Sequence, residues 1–292
     1  MSTMQTADAI ITADWHLRES SPRCRTDNYL DAQASKLKFL SNLQKKHKCP
    51  IIDAGDMFDR YNNSIFFLSW VMKNIPNRVL TIPGNHDLPN HNMRDYLKAS
   101  MCILELGNKI KLIPDGEMVI GNRRLLIVHT FLWHNNKPEW IKDNKGSAIS
   151  FAKEHKQYDL VVVGDNHDPF ICEYKKTKIL SPGSMLRSNI NQKDHKPRCY
   201  LYYAENNILK PIYFPIEEDV ISDSHIREIT KTSRYNNEKA DAFFNLISEE
   251  LDMDITDFTY EVFISVLRKS NQKTSVEVKQ IVREAFDGKV ED

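Results

Sequence analysis

Thr81-Ile82-Pro83-Gly84-Asn85-His86-Asp87-Leu88-Pro89 is the stretch on which the reading of this chain turns. The run Arg78-Val79-Leu80-Thr81-Ile82 is short and apolar enough for a buried strand, and Pro83-Gly84 stops it. An amide, an imidazole and a carboxylate then follow without a gap. Polar groups crowded onto a loop at a strand's carboxyl end are where metal and catalytic sites collect in α/β proteins. Gly84 lets the backbone turn sharply and come close to a bound group. Asn and Asp are also ordinary turn residues, so this stretch alone suits a functional site and a plain turn about equally. Other parts of the chain decide between them.

The same pattern recurs upstream and downstream. Ala9-Ile10-Ile11-Thr12-Ala13 is an apolar strand ending at Asp14-Trp15-His16, and Pro50-Ile51-Ile52-Asp53-Ala54 ends at Gly55-Asp56. Arg123 to His129 closes on a lone histidine, and Tyr158 to Val163 ends at Gly164-Asp165-Asn166-His167. Asp14/His16 and Asp165/His167 are two apart, so on extended backbone each pair projects to one side. Candidate metal ligands are therefore Asp14, His16, Asp56, Asn85 with His86, His129, Asp165 and His167. Carboxylates, imidazoles and an amide without cysteine suit manganese, magnesium, iron or zinc. A carboxylate able to bridge, here Asp56, holds two such ions close together. Taken singly, each His or Asp is more often a capped or surface group; His47, His91, His155, His195 and His225 stay in that class. Five strand ends carrying such groups in order are much harder to obtain by chance.

Between these signals the chain alternates strand and helix. Helices are predicted over Tyr29 to Lys46, Ser64 to Asn74, Met93 to Leu106 and Ala148 to His155. The later part is rich in hairpins: Glu117–Ile120 with Arg123–His129, Phe170–Tyr174 with Lys178–Ser181, and Arg198–Tyr203 with Leu209–Phe214. The expected fold class is α/β, a four-layer sandwich of two mixed β-sheets flanked by helices. From about His225 the strands stop. Ala240, Phe243, Phe244, Ile247 and Leu251 share a helical face, and Thr274-x-x-Glu277 resembles a capping box. The expected organisation is a catalytic domain over 1–224 and a small helical C-terminal appendage over 225–292.

Composition narrows the function classes. The chain has 292 residues, 41% hydrophobic and 27% charged, as in ordinary globular proteins. Its 40 basic residues balance its 40 acidic ones, so any nucleic-acid contact rests on a local patch. Five scattered cysteines form no C-x-x-C pair, which argues against a disulfide framework or a thiolate zinc site. No signal peptide or membrane-length apolar run is evident, and a cytoplasmic setting is expected.

Together D-W-H, G-D-M-F-D-R, G-N-H-D, the His of V-H-T, and G-D-N-H resemble the five blocks of the calcineurin-like metallophosphoesterases, from about residue 8 to residue 187. G-D-M-F-D and Ser181-Pro182-Gly183-Ser184 further resemble SbcD-type DNA repair nucleases, and phage-encoded members look closest in length. The resemblance implies the four-layer metallophosphoesterase sandwich and two divalent metal ions, manganese first and magnesium second. One ion would take Asp14, His16, Asp56 and His167; the other would share Asp56 and take Asn85, His129 and Asp165. His86 would contact the scissile phosphate and help the leaving oxygen depart. Asp87 would either orient that ring or brace the loop. Where the family usually has G-H-x-H this chain has Asp165, a shorter reach and an added negative charge, which puts the second ion's site in question.

The implied function is a DNA nuclease hydrolysing phosphodiester bonds, with Arg18, Arg23, Arg25 and Arg187 as candidate contacts to DNA. Its implied partner is an SbcC-like coiled-coil ATPase docked through the C-terminal helices; a homodimer is also compatible. If phage-encoded, the chain would work in the host cytoplasm, without a membrane. Two alternatives stand beside this: a phosphoesterase of the same fold acting on a small molecule or phosphoprotein, and a degenerate member that binds without catalysis.

Overall fold

The computed structural model describes residues 6–138, 141 and 146–222. The chain divides into two units, 1–223 and 224–292, and the description concerns the first. The helices expected beyond residue 225 lie outside the described residues.

The first half winds as alternating strand and helix: β1 (Ala9–Thr12), α1 (Tyr29–His47), β2 (Ile51–Asp53), α2 (Ile65–Asn74), β3 (Val79–Thr81), α3 (Ser100–Leu106) and β4 (Ile110–Leu112). The second half adds β5 (Glu117–Ile120), β6 (Arg123–His129), α4 (Ala148–Glu154), β7 (Leu160–Gly164), β8 (Phe170–Tyr174), β9 (Thr177–Ser181), β10 (Arg198–Tyr203) and β11 (Ile208–Tyr213). Local chemistry sets several ends. Asn28 caps α1 by accepting from the Leu30 and Asp31 amides, and Ser64 caps α2 by accepting from Phe67. Lys48 ends α1 in the left-handed region, beyond a last turn carrying Lys45, Lys46 and His47, where cations face the negative end of the helix.

Two sheets result, ordered β11-β10-β1-β2-β3-β4 and β5-β6-β7-β9-β8. Each has a parallel centre; the first carries the antiparallel β10–β11 hairpin at one edge, and the second an antiparallel strand at each edge. The last described hairpin, β10–β11, returns to the first sheet, with Ala9 opposite Tyr202. Strand alternation then sorts the apolar residues. Ala9, Ile11, Ile52 and Ala54 face Leu125, Ile127, Leu160 and Val162 between the sheets. Ile10, Ile51 and Val79 face Leu37, Leu40, Phe67 and Val71 of α1 and α2. Val161, Val163 and Ile179 face Ala148 and Ala152 of α4. Helices, sheet, sheet and helix make the four expected layers.

The single helix expected over Met93 to Leu106 is divided. Met93–Lys98 is a 3-10 segment, Ala99 is extended, and α3 begins at Ser100. The Ser100 amide donates to the Tyr61 carbonyl, a tertiary bond that replaces the local one. No helix of the described residues is long and apolar enough to cross a membrane, and all five cysteines are buried free thiols.

Candidate metal centre

Every strand of the parallel centres that ends in a candidate ligand brings it to the same end of the sandwich. The side chains converge in overlapping sets: Asp14, His16 and His167 lie within ligand reach of one another, and so do Asp14, Asp56 and His129. His16 and His167 face each other Nε2 to Nε2 at 3.0 Å. Asp56 Oδ2 lies 3.2 Å from His129 Nε2 and 3.7 Å from His16 Nε2, between the two sets. Asn85 Oδ1 is 2.8 Å from His129 Nε2, and Asp165 Oδ1 is the outermost, 3.9 Å from the same nitrogen.

The backbone achieves this by bending, in a way the sequence spacing did not indicate. Asp14, His16, Asp56 and Asp165 all have positive φ, between 43° and 79°. Asp14 and His16 therefore both project from left-handed backbone beyond β1, whereas in the second pair only Asp165 does. Such conformations are unfavourable for residues with a Cβ and persist where surroundings over-determine them. Here the Asp14 amide donates to the Gly55 carbonyl, the His16 amide to the Asp56 carbonyl, and the Asp165 amide to Asp14 Oδ1. Gly84 also acts differently from expectation. A Cβ there would stand 2.1 Å from Asp56 Oδ1, so glycine is required by the approach of the loop to Asp56 and not by a left-handed turn.

Electrostatics describe a site built for cations. Asp14 is fully buried, its Oδ2 has no hydrogen-bond partner, and burial pushes its pKa up to about 8. Burial holds His16 neutral, down to about 3, against the pull of Asp56, and lowers His167 as well. Burial alone would also lower His129, but the Asp56 carboxylate overrides it and raises the ring to about 9. Burial works to raise Asp56, yet His129, His16 and the His86 amide outweigh it and leave its pKa lowered. His129 Nδ1 lies 2.8 Å from the Ala54 carbonyl, which can only accept, so Nε2 is the nitrogen aimed at the centre. In the metal-free chain a proton on that nitrogen stands where a cation would. Orphaned carboxylate oxygen, opposed imidazole nitrogens and an all-N/O donor set fit hard or borderline divalent ions.

His86 is exposed at the mouth, edge-on to His16 with ring centroids 5.0 Å apart. Its Nδ1 lies 2.9 Å from the Asp59 carbonyl. Asp87 does not orient that ring: it is fully buried and accepts from the Met57, Phe58 and Gly84 amides, bracing one loop against the next. Burial, with Asp56 nearby, raises Asp87 to about 6 despite those amides.

Two of the four arginines expected at DNA are committed elsewhere. The Arg25 side chain is 3% exposed, gripping Asp27 and donating to the Arg187 carbonyl. Arg187 is buried and donates to the Lys193 and Glu217 carbonyls. Both tie interior loops together, and neither offers its charge to a phosphate at the surface. Arg23 is exposed. Arg18 is partly exposed, 3.4 Å from Asp59, and lines a recess of about 460 Å³ with Ser20, Asp59, Arg60, Asn62 and Asn63. Sequence reasoning missed the roles of the Ala54 and Asp59 carbonyls, since backbone acceptors leave no residue-type signal.

Carboxylates and imidazoles gathered at one end of two packed mixed sheets are the arrangement of a metal-dependent phosphoesterase. The chain belongs to the calcineurin-like phosphoesterase superfamily: residues 8–205 match the family model described as the calcineurin-like phosphoesterase superfamily domain. Members of that family depend on divalent metals. A search of the curated proteins found no match. Among solved structures the chain is similar to an archaeal phosphodiesterase, at 15% identity and TM-score 0.44, covering 70% of this chain and 98% of that one. It is also similar to the protein TT1561 of Thermus thermophilus, at 12% identity and TM-score 0.44, covering 72% and 100%. Vps29 of Entamoeba histolytica, solved with zinc, is 13% identical with TM-score 0.33, covering 71% and 99%. At such identities the likeness concerns the fold alone.

Two outcomes are expected. His129, raised to about 9, and Asp14, raised to about 8, hold protons at neutral pH, whereas a metal needs the imidazole neutral and the carboxylate ionised. Metal uptake therefore displaces protons below those values. Affinity for Mn2+ should climb with pH, by up to about tenfold per unit for each proton displaced, and level off above about pH 9. Titration calorimetry in buffers of different ionisation enthalpy checks this; heats independent of buffer at neutral pH would contradict it. Gly84→Ala should push Asp56 aside and strip bound metal, measured by elemental analysis of the purified variant.

Proposed function

We propose that this chain is a metal-dependent phosphodiesterase that cuts DNA, working as the nuclease subunit beside an SbcC-like coiled-coil ATPase. The observation that carries the diesterase reading is the recess next to His86. A phosphomonoester presents one small charged group, whereas a diester within a strand brings neighbouring sugars and phosphates that need a place. Arg18, Arg60, Asn62 and Asn63 line that recess with Glu19 and Asp59, and the Asp59 carbonyl also meets His86 Nδ1. Arg60 is exposed and makes no ion pair or hydrogen bond from its side chain among the described residues, so its guanidinium is available to a phosphate. The G-D-M-F-D form of the second block supports the nuclease reading by resemblance. Arg60 in that motif also occurs in protein phosphatases, which makes the monoester the competing substrate.

Asp14, His16, Asp56 and His167 would hold one divalent ion, and Asp56, Asn85, His129 and Asp165 a second, manganese or magnesium. When bound, such a pair supplies Lewis acidity, lowering the pKa of water and neutralising phosphate charge. The chain's own contribution is positional. The Asp59 carbonyl accepts from His86 Nδ1–H and leaves Nε2 toward the substrate; with the ring as imidazolium, the Nε2 proton passes to the leaving oxygen and the Nδ1–H form remains. Asp87 keeps the Gly84 loop closed over Asp56. Arg18 and Arg60 hold the strand in register.

His86→Ala should retain metal and cut turnover by roughly a hundredfold or more, since a positioned acid is lost and no ligand is; elemental analysis and kcat together check it. The reading itself is tested by comparing a small phosphodiester, a phosphomonoester and end-labelled duplex DNA in Mn2+, with and without the ATPase. Digestion of the duplex and hydrolysis of the diester are expected. Turnover confined to the monoester would overturn it.

A further inference from the structure

Three buried polar side chains form a rung across the first sheet, directly before the loops that bear candidate ligands. They are Thr12 at the end of β1, Asp53 at the end of β2 and Thr81 at the end of β3. Thr12 is opposite Asp53 and Asp53 is opposite Thr81, so all three share one face of the sheet. Two residues earlier the same face carries Ile10, Ile51 and Val79 in register. That apolar rung packs fully against the helices. The polar rung is as completely buried, with Asp53 and Thr81 at 0% exposure and Thr12 at 1%. A carboxyl group in such a place costs stability unless it is bonded.

It is bonded to each neighbour. Asp53 Oδ2 lies 2.8 Å from Thr81 Oγ1 and 3.3 Å from the Gly55 amide, and Oδ1 lies 3.5 Å from Thr12 Oγ1. Burial, with Asp87 and Asp14 adding to it, raises the Asp53 pKa well above the carboxylate range even against the Thr81 bond. Thr81 Oγ1 donates to Asp53 Oδ2, with the Ile82 carbonyl 3.0 Å away as a second acceptor for the same hydroxyl. Thr12 Oγ1 accepts from Trp15 Nε1 at 2.9 Å and shares its one hydrogen between the Ile52 carbonyl at 3.2 Å and Asp53 Oδ1 at 3.5 Å. Each of these hydrogens has a partner.

We propose that Asp53 is a positioning residue for the metal centre, locking together the strand ends from which Asp14 and His16, Asp56, and Asn85 and His86 emerge. It touches neither substrate nor metal. A carboxyl in the middle strand reaches both flanking threonines and the amide of Gly55, the residue before Asp56, so it sets the spacing of three loops at once. The proposal rests on the family's metal dependence and the candidate ligand set, and is independent of the DNA reading.

The test uses the full chain carrying Asp53→Ala, Asp53→Asn or Thr81→Val. Mn2+ affinity is read by titration calorimetry, kcat and KM on bis(p-nitrophenyl) phosphate at saturating Mn2+, and the thermal midpoint without metal. Asp53→Ala and Thr81→Val should weaken Mn2+ binding by about 10- to 100-fold, in the range for groups that orient ligands, and lower kcat more than they change KM. Asp53→Asn keeps a carbonyl acceptor for the Thr81 hydroxyl and the Gly55 amide in the same space and should hold Mn2+ affinity to within a few fold of the parent. Wild-type Mn2+ affinity and kcat in Asp53→Ala or Thr81→Val, with only the thermal midpoint lowered, would overturn the proposal. If Asp53→Ala does not fold, Thr81→Val, which removes one hydroxyl at nearly the same shape, decides it. If the parent chain does not hydrolyse the diester, the substrate reading fails while the Mn2+ affinities still decide the role of Asp53.

Discussion

The structure depends on one buried carboxylate, Asp56, placed between two sets of imidazoles. Its Oδ2 faces His129 and His16, and its Oδ1 accepts the His86 amide at 2.8 Å. An anion with 1% exposure is sustained only when its surroundings supply positive charge or donors. Much of the neighbourhood follows from that demand. Gly84 has no side chain because Asp56 occupies the space. Asp87 pins the loop that brings the His86 amide to it. His129 carries a proton toward it, held in orientation by the Ala54 carbonyl.

The price of this arrangement is backbone strain concentrated at the candidate ligands. Four of them sit in left-handed conformations, and the bonds that hold them there run between loops: Asp14 to Gly55, His16 to Asp56, Asp165 to Asp14. The two sheets contribute separately. Asp14, His16, Asp56 and Asn85 follow strands of the first, while His129 and Asp165 belong to the ends of β6 and β7 in the second. A site assembled across two sheets needs a rigid inter-sheet core, and Ala13, Ala54, Ile127 and Val162 supply it immediately below the loops.

Much of this was legible in the sequence because apolar strands and polar strand ends are local patterns. The short apolar runs over Ala9–Thr12 and Leu160–Gly164 marked strands, and D-W-H, G-N-H-D and G-D-N-H marked the loops after them. What was not legible depends on contacts distant in sequence. The break at Ala99 follows from a bond to Tyr61. Arg25 and Arg187 look like surface cations until Asp27 and the Lys193 and Glu217 carbonyls are seen around them. Asp87, adjacent to His86, proves to serve amides of the preceding block some thirty residues away. Asp53 gave no signal because a lone carboxylate at a strand end looks like a cap, and only the register of β1, β2 and β3 shows what it joins.

The central claim is that Asp56 is shared between two metal positions whereas Asp165 serves one at most. Metal content of Asp56→Asn and Asp165→Asn, measured by elemental analysis after loading with Mn2+, tests it most directly. The account predicts that Asp56→Asn loses both ions and Asp165→Asn keeps at least the one held by Asp14, His16 and His167. Equal loss in the two variants, or full retention in Asp56→Asn, would contradict it.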